Sequence, residues 1–465
     1  MLGVRLGLGL GLGVMLATGC GDNKDDGDAA FAVNSCKAVT GTCMEITSGN
    51  DTALQTAANT IDASTTLVLG AGTFKMTNQL TLRTAGAHVI GQGIDKTTLD
   101  FGSTTTQGNG VDAIGDDFVI QDVTVLDAPK DGIRVEATNG VTFRRIRATW
   151  TKAGDASNGA YGIYPVKSQN VLVVDSQAEN ASDAGLYVGQ CQHVIVRGNH
   201  VTGNVAGLEI ENTEYADVYN NEADNNTGGI VVFDLPGNPI VGRDIRLRDN
   251  MIHDNNHDNF ASGGTVASIP VGTGTFAMAS RRVEITGNTY SNNGTGDIAL
   301  ISGLALEPDT TQWTLPVATV TGDYQDLGLP AGAAAGTIMN FRGQNILVSG
   351  NHHTGSGTAP DLDDPLHIGL LLAASYQSAP VDSVIYDSIM ESMFNSTDAA
   401  KNTDDNHMCV GGNTEGTFAS LDLMAQSAPP FTPFFRPAAP FAPFDCTALD
   451  GGAVAQVTLP QDTPQ

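Results

Sequence analysis

The sequence predicts an all-β fold, a parallel β-helix solenoid in which short strands wind into rungs of about 22 residues that stack on one another. Three observations predict it. The 55 glycines among 465 residues, with only 16% charged residues, favour short strands and turns over a helical bundle. A glycine followed by an aliphatic residue recurs about every 22 residues, and an apolar strand ending in asparagine follows several of these glycines.

The repeating glycine marks the first strand of each rung. It occurs at Gly110, Gly132, Gly162, Gly185, Gly207 and Gly229. The residues one and three positions after it are apolar, so their side chains are predicted to point into the core. A second apolar strand follows about ten residues later, and in several rungs its end is marked by asparagine, at Asn199, Asn221, Asn250, Asn288 and Asn351. Asparagines stacked in identical turns hydrogen-bond to one another, so a rung of three strands and three turns is expected.

The two ends of the chain are predicted to close the solenoid. An N-terminal cap is expected over residues 36–64, with an amphipathic helix over 52–61, and the β-helix over 65–355. Loops at 259–280 and 303–343 interrupt the repeat and should project from one side. The C-terminal segment 356–465 is expected to be irregular, with a short helix or irregular element at 383–394. Its Pro/Phe-rich part, 429–444, is expected to wrap the last rungs.

With these features the chain resembles the right-handed parallel β-helix superfamily over roughly residues 65–351. The stretches 183–190, 206–212 and 226–237 are similar to an uncharacterised family of bacterial β-helix lipoproteins. The resemblance implies a right-handed solenoid with the pectin lyase-like fold. It implies no single function, because this fold hosts lyases, epimerases, hydrolases, adhesins and accessory proteins.

The charge balance excludes one class of partner. The chain has 51 acidic against 22 basic residues and a formal net charge of −29. Phosphate contacts need clustered lysine and arginine, so nucleic acid is not expected as a partner. Hydrophobic residues make up 41% of the chain, enough for a sizeable core.

The N-terminus predicts export. Residues 1–19 contain Arg5 and an apolar run too short to span a membrane, which is typical of a signal peptide. The sequence LATGC at 16–20 resembles a bacterial lipobox, which implies lipidation at Cys20, followed by an acidic tether over 20–35. The alternative is an ordinary signal peptide, in which Cys20 has no special role. The expected location is a bacterial membrane, in the periplasm or at the cell surface, with membrane contact only through the N-terminal lipid.

Four cysteines of an exported chain are candidates for disulfides. Cys36 and Cys43 lie seven residues apart across a turn, and Cys409 and Cys446 bracket part of the C-terminal segment. The spacing does not determine the pairing. Cys191 is left over and is predicted to be buried in a strand.

Outward side chains of a β-helix stack in columns, and two columns carry chemistry. The column two residues after the glycine reads Arg134, Tyr164, Tyr187, Glu209 and Val231. Glu211 belongs to a neighbouring column, and Lys167, Asn212 and Asp234 lie in a turn column. Tyrosine faces beside carboxylates and amides suit a polysaccharide, so Arg134, Tyr164 and Asn212 are the substrate-binding candidates. An ordinary solvated sheet face is the alternative.

A lyase-like or epimerase-like reaction on a uronate glycan needs a base near the C5 proton and a cation to offset the substrate carboxylate. The catalytic candidates are Lys167, Tyr187, Glu209, Glu211 and Asp234. The sequence contains no cofactor motif, but these carboxylates together with Asn212 offer the oxygen donors that Ca²⁺ prefers.

A histidine-rich turn is the second candidate site. The segment 253–259 reads HDNNHDN, and His253 and His257 are candidate metal ligands. A turn whose side chains satisfy one another locally is the alternative.

The function expected from the sequence is polysaccharide binding by a monomeric exported lipoprotein, on the face formed by the rungs of Gly132 to Gly229. Whether the protein is also a lyase-like or epimerase-like enzyme is left open. A non-catalytic cell-surface binding or scaffold protein and an accessory protein for metal delivery are the alternatives.

Overall fold

A computed structural model of the chain describes residues 30–321, 331–377, 380–387, 408–421 and 435–445. The predicted signal peptide, the lipidation site Cys20 and Cys446 lie outside the described residues. The two described α-helices are α1 (Asp51–Thr60) and α2 (Ile368–Tyr376).

The strands follow in chain order. The first eleven are β1 (Thr42–Ile46), β2 (Thr65–Leu69), β3 (Gly72–Lys75), β4 (Leu80–Leu82), β5 (His88–Ile90), β6 (Thr97–Asp100), β7 (Val111–Ala113), β8 (Phe118–Leu126), β9 (Ile133–Glu136), β10 (Asn139–Thr149) and β11 (Tyr161–Val166). The next eleven are β12 (Gln169–Val174), β13 (Gln177–Glu179), β14 (Ala184–Gly189), β15 (Gln192–Arg197), β16 (His200–Thr202), β17 (Ala206–Glu211), β18 (Glu214–Tyr219), β19 (Glu222–Asp224), β20 (Gly228–Phe233), β21 (Arg243–Arg248) and β22 (Met251–His253). The last eleven are β23 (Thr273–Met278), β24 (Arg281–Thr286), β25 (Thr289–Ser291), β26 (Gly296–Ile301), β27 (Thr314–Pro316), β28 (Thr337–Met339), β29 (Gln344–Ser349), β30 (His352–Thr354), β31 (Val384–Tyr386), β32 (Met408–Gly411) and β33 (Phe418–Ser420).

These strands form the predicted parallel β-helix. The first row is an 11-stranded sheet running from β4 through β7, β9 and β11 to β33. The second row runs from β1 to β32 and the third from β3 to β30. The long strands β8 and β10 belong to both of these rows and join them into one 20-stranded sheet. The fold class predicted from the repeat is confirmed.

The core lies inside the rungs, where the alternation placed it. Along the first row, the residues one and three positions after the repeating glycine are buried, from Ile133 and Val135 to Ile230 and Val232. The glycine itself is needed because neighbouring strands approach closely there. A Cβ added to Gly207 would lie 2.6 Å from the carbonyl oxygen of Gly229 on the next rung.

An asparagine ladder closes the turn between the second and third rows, as predicted. The backbone N–H and Nδ2 of Asn199 both donate to Oδ1 of Asn221, at 3.0 and 2.9 Å. The same pair of bonds joins Asn221 to Asn250 and continues to Asn288, Asn351 and Asn413. Apart from the half-buried Asn413, each ladder asparagine is buried, so these bonds satisfy polar groups that water does not reach.

A second ladder, missed in the sequence, closes the turn between the third row and the first. It consists of Asn204, Asn226, Asn255 and Asn293, bonded in the same pattern. These asparagines lie five residues after members of the first ladder. This constant spacing is the sequence signal that could have identified them.

The β-helix extends beyond its predicted boundaries, residues 65 and 355, because strands on the outer side of both boundaries pair in parallel with it. β1 pairs with β2 before residue 65, and β31, β32 and β33 extend the rows after residue 355. Helix α1 buries Leu54, Ala57 and Ala58 against the core, as the predicted cap does.

The C-terminal prediction is partly wrong. Residues 384–386, expected in a helix or irregular element, form strand β31 of the first row. The described part of the Pro/Phe-rich segment does cover the last rungs, since Phe441 and Phe444 are buried against Phe418.

The disulfide between Cys36 and Cys43 is formed. Cys409 is also disulfide-bonded, but its predicted partner Cys446 lies outside the described residues. Cys191 is free and buried, in the turn after β14 rather than within a strand. No helix in the described segments is long and apolar enough to cross a membrane.

Replacing Asn221 by alanine tests the ladder. The change leaves the two donors of Asn199 and the carbonyl oxygen of Val196 without their partners. We expect the free energy of unfolding to fall by about 2–4 kcal/mol, since each buried unsatisfied group costs about 1–3 kcal/mol. Urea unfolding measures it. The control is Thr289→Ala, at an exposed position of β25, and an equal loss in both variants contradicts the prediction.

Candidate functional site

Three tyrosines cluster on the outward face of the first row. Tyr161 and Tyr164 lie on β11 and Tyr187 lies on β14 of the next rung. The ring centroid of Tyr161 is 4.6 Å from those of Tyr164 and Tyr187, and the last two are 4.9 Å apart. Tyr161 and Tyr164 remain half-buried, so their rings are partly open to solvent.

Acidic side chains lie beside the tyrosines because the rungs are in register. Tyr187 is opposite Glu209, and Gly189 is opposite Glu211. The missing side chain at Gly189 leaves room for the Tyr187 ring, which reaches across to the next rung. There the Tyr187 hydroxyl donates to Oε2 of Glu211 at 2.6 Å, and Asn238 Nδ2 donates to Oε1 at 2.9 Å.

Burial raises the pKa values of four acidic side chains at this face. Asp131 lies just before β9 and Asp183 just before β14, and burial raises the pKa of Asp131 to about 6 and that of Asp183 to about 7. The pKa of Glu209 is raised well above its usual range by burial and by the neighbouring charges of Asp183 and Glu211. Burial also raises the pKa of Glu211, although the hydrogen bonds from Tyr187 and Asn238 oppose that shift. Glu209 is 1% exposed, and its Oε1 has no hydrogen-bond partner among the described residues.

Charged side chains form one border of this cluster. Arg134 lies opposite Tyr164 and pairs with Asp112 at 3.3 Å and with Glu136. The exposed Lys167 Nζ lies 3.8 Å from Glu136. Arg134 and Lys167 therefore both reach the carboxylate of Glu136.

The two long loops lie on one side, as predicted, and that side is the tyrosine face. The first loop is shorter than expected. Residues 273–278 of the predicted loop form strand β23, so the loop covers 254–272. Val266 of this loop and Trp313 and Phe341 of the second pack in one apolar cluster with Tyr187 and Phe233. A Cβ added to Gly264 would lie 3.7 Å from Oδ2 of Asp183. The loops therefore cover part of the acidic cluster.

Two predicted site residues, Asn212 and Asp234, form hydrogen bonds to loop segments instead of facing the tyrosine cluster. Asn212 is fully buried, accepts from the backbone of Leu235 and from Asn238 at 2.8 and 2.9 Å, and donates to Ile240 at 2.8 Å. These bonds fix the segment 235–240 against the turn. Asn212 is therefore not open to a ligand in this conformation.

Asp234 is also fully buried. It accepts from Gly242, Ser280 and Asn340 at 2.7, 3.2 and 2.8 Å, near the buried Arg281. Burial raises the pKa of Asp234 to about 6 and lowers the pKa of Arg281 to about 9. The structure thus ties Asp234 to loop residues and does not add it to the tyrosine cluster.

The structure does not gather the predicted metal ligands into one group. Glu209, Glu211, Asn212 and Asp234 have the separate contacts given above. His253 Nε2 is 3.2 Å from Glu222, whereas His257 packs its ring against Phe260. The described residues contain one group of three or more ligand-type side chains with ligand atoms within 4.8 Å of one another, and it is His200, Glu222 and Asp224.

Sequence reasoning missed Asp131, Tyr161, Asp183 and Asn238 at this site. Asp131 and Tyr161 immediately precede a repeating glycine, and Asp183 lies two residues before one. The positions just before the glycine repeat with the same period as those after it, so the sequence does carry a signal for these three residues. Asn238 reaches Glu211 from a loop outside the repeat, and no periodicity indicates it.

Comparisons with known proteins agree on the architecture. A family model described as a right handed beta helix region matches residues 85–244 and 131–307, two overlapping stretches. None of the curated proteins compared with the chain matches it.

Solved structures with similar folds have different functions. The A-module of a mannuronan C-5 epimerase from Azotobacter vinelandii is 15% identical over 73% of this chain and 90% of its own, with a TM-score of 0.42. An alginate lyase from Paenibacillus sp. is 14% identical over 68% and 97%, with a TM-score of 0.34. The Dettilon tailspike protein is 12% identical over 86% and 74%, with a TM-score of 0.40. Likeness at this level transfers no substrate to this chain.

The raised pKa values predict that the protein loses stability as the pH rises. Asp131 and Asp183 bind protons more tightly when folded, so their stabilising contribution is complete below pH 4 and is lost as the pH rises through about 6 and 7. We expect the free energy of unfolding to fall by on the order of 4 kcal/mol between pH 5 and pH 8.

Asp183→Asn, which stays neutral, should flatten this dependence in urea unfolding, and Asp62→Asn at an exposed position should leave it unchanged. A wild-type protein that is more stable at pH 8 than at pH 5 shows that the acids are ionised and compensated in the folded state.

Proposed function

Given a chain built on a right-handed parallel β-helix, we propose that it binds a polysaccharide along the outward face of the first row. The observation that carries the proposal is the packing of Tyr161, Tyr164 and Tyr187 within 5 Å of one another, beside Asp183 and Glu211. Tyrosine rings stack on the apolar faces of sugar rings, and carboxyl groups hydrogen-bond to hydroxyls.

The register of the rungs suits a linear polymer. Successive strands of a sheet lie about 4.8 Å apart, so the outward positions of β9, β11, β14 and β17 repeat along the solenoid axis. Arg134, Tyr164, Tyr187 and Glu209 occupy one column in that order. Arg134 and Tyr164 are the partly open members of this column, so a chain of sugar units lying along it meets these two side chains on successive rungs.

The acids of this face support a lyase-like or epimerase-like reaction on a uronate polymer. A general base works best when its pKa lies near the working pH, and that of Asp183 is about 7. Ionised Asp183 would take the C5 proton of the uronate. Burial raises the pKa of Tyr164 to about 12, so its hydroxyl stays protonated and can donate. Arg134 lies opposite Tyr164 and would offset the substrate carboxylate.

In the lyase-like reaction, the electron pair released at C5 forms the C4–C5 double bond. The bond from C4 to the glycosidic oxygen breaks, and Tyr164 gives the leaving oxygen its proton. In the epimerase-like reaction, the glycosidic bond stays intact and the Tyr164 hydroxyl would instead give its proton to C5 on the opposite face. We assign the base to Asp183 rather than to the candidate Lys167, because Lys167 is paired with Glu136. The catalytic candidate Asp234 is buried away from the tyrosine cluster.

A non-catalytic binding or scaffold role is the second candidate. It is favoured by the burial of Glu209 and by the two hydrogen bonds that hold Glu211. Both acids then serve to shape the tyrosine face and take part in no proton transfer.

We also propose that the protein is exported and anchored to a bacterial membrane by a lipid at Cys20, as the residues 16–20 suggest. Cys20→Ser should move the protein from the membrane fraction to the soluble fraction and abolish incorporation of labelled fatty acid. Cys191→Ser, at the buried free cysteine, is the matched control and should change neither. Membrane retention of the Cys20→Ser protein contradicts the lipid anchor.

Polysaccharide binding and turnover can be separated with three variants. Tyr164→Ala should weaken binding to uronate polymers about tenfold, because a stacked ring contributes on the order of 1–2 kcal/mol. Tyr219→Ala, which removes a half-buried tyrosine from the second row, should leave binding unchanged. Asp183→Asn should abolish the unsaturated product, or the change in epimer ratio, while binding persists.

These outcomes are measured by calorimetry, ultraviolet absorbance and proton NMR with alginate, pectate and glycosaminoglycans. Binding without any product from the wild-type protein selects the non-catalytic role. Failure to bind any of these polymers contradicts the proposed function.

A further inference from the structure

Two histidines and two acids form a separate cluster on the outward face of the third row. His200 and Glu222 are directly opposite each other on β16 and β19, and Asp224 and His253 are opposite each other on β19 and β22. The four side chains thus occupy three consecutive rungs. The cluster belongs to a different row from the tyrosine face of the first row.

The distances within this cluster are short. His200 Nε2 lies 2.5 Å from Oδ1 of Asp224, and His253 Nε2 lies 3.2 Å from Oε1 of Glu222. Ligand atoms of His200, Glu222 and Asp224 lie within 4.8 Å of one another. Ligands about 2.0–2.2 Å from one tetrahedral ion lie within that range of each other.

The outer contacts orient the ligand atoms. Oδ2 of Asp254 lies 2.9 Å from Nδ1 of His253, and the Thr202 hydroxyl donates to Oδ2 of Asp224 at 3.3 Å. A carboxylate on one imidazole nitrogen leaves the other nitrogen to bind a metal, which is the usual arrangement around zinc-bound histidines. The Nε2 atom of His253 then faces the carboxylate of Glu222.

The charges of this cluster favour a cation. Glu222, Asp224 and Asp254 are three acidic groups, and the ion pairs that the described residues form with Glu222 and Asp224 involve only His200 and His253. His200 and His253 each place a ring nitrogen against a carboxylate oxygen, and a metal ion can take the place of a proton between these atoms.

We propose that His200, Glu222, Asp224 and His253 bind a divalent transition metal of the zinc class. Two imidazoles and two carboxylates suit zinc, whereas Ca²⁺ prefers a shell of oxygen ligands alone. Glu222 and His200 side chains are 45% and 40% exposed, so the ion reaches the site from solvent. Because the ligands lie on three rungs, the metal cross-links the third row from outside.

The site differs from the metal site expected from the sequence. His253 belongs to it, but His257 does not, and the partner histidine is His200, 53 residues earlier in the chain. Sequence spacing alone does not bring the two together. The parallel register of β16, β19 and β22 does.

The test uses untagged protein incubated with zinc, dialysed, and measured for zinc by elemental analysis and for thermal unfolding by calorimetry. We expect about one zinc per chain and a Tm raised by zinc, since a ligand that binds only the folded state stabilises it. Calcium should not raise the Tm in the same way. Wild-type protein that retains no zinc, or calcium that raises the Tm as much as zinc does, overturns the proposal.

The ligand assignment is tested with side chains of similar shape. The double variant Glu222→Gln/Asp224→Asn should lose both the bound zinc and the shift in Tm. The control is His352→Gln, at an exposed histidine in the same column as His200 and Glu222, and it should keep both. Zinc retained by the double variant overturns the assignment. Circular dichroism of each variant separates loss of the metal from loss of the fold.

Discussion

The structure depends on the exact register of its rungs, and buried asparagines maintain that register. An asparagine inside a ladder, such as Asn221, receives two hydrogen bonds from the rung before it and gives two to the rung after it. A change of register by one residue would place these amides in an apolar core without partners, which costs several kcal/mol per group. Because two ladders run along two different turns, they specify both the height and the rotation of each rung.

Both candidate sites are consequences of that register. Tyr187 reaches Glu211 because the residue opposite Glu211 is a glycine, and His200 meets Asp224 because their strands are neighbours in the third row. Each contact joins residues 24 apart in sequence, slightly more than the rung. A β-helix therefore assembles a site from side chains that are distant in the chain but nearly equivalent in the repeat. Its binding surfaces are columns rather than closed pockets.

The repeat made the fold and the columns predictable from sequence. Contacts made by the segments that interrupt the repeat could not be predicted in this way. One repeat predicts the inward residues, the first ladder and the column from Arg134 to Val231. All of them occur in the structure. The roles of Asn212 and Asp234 did not follow. Both lie in the correct column, but the segments 235–240 and 340–342, which have no period, bury them with new hydrogen bonds.

The two long loops raise the pKa values of the acids beside the tyrosine face. An outward sheet face left in water holds carboxylates at their ordinary pKa values, and ionised acids on adjacent rungs repel one another. Covering that face with Val266, Trp313 and Phe341 removes water from Tyr187 and its neighbours, and burial is the largest cause of the raised pKa values of Asp183 and Glu209. The protonated forms then carry no charge to repel.

An acidic protein with a net charge of −29 can in this way present a face of low charge to an anionic polymer. The overall charge does not describe this face. What matters for a uronate chain is the local balance between Arg134, Lys167 and buried acids such as Glu209, whose raised pKa keeps it protonated. Repeat and loop thus contribute different things: the repeat places the side chains, and the loops set their charge.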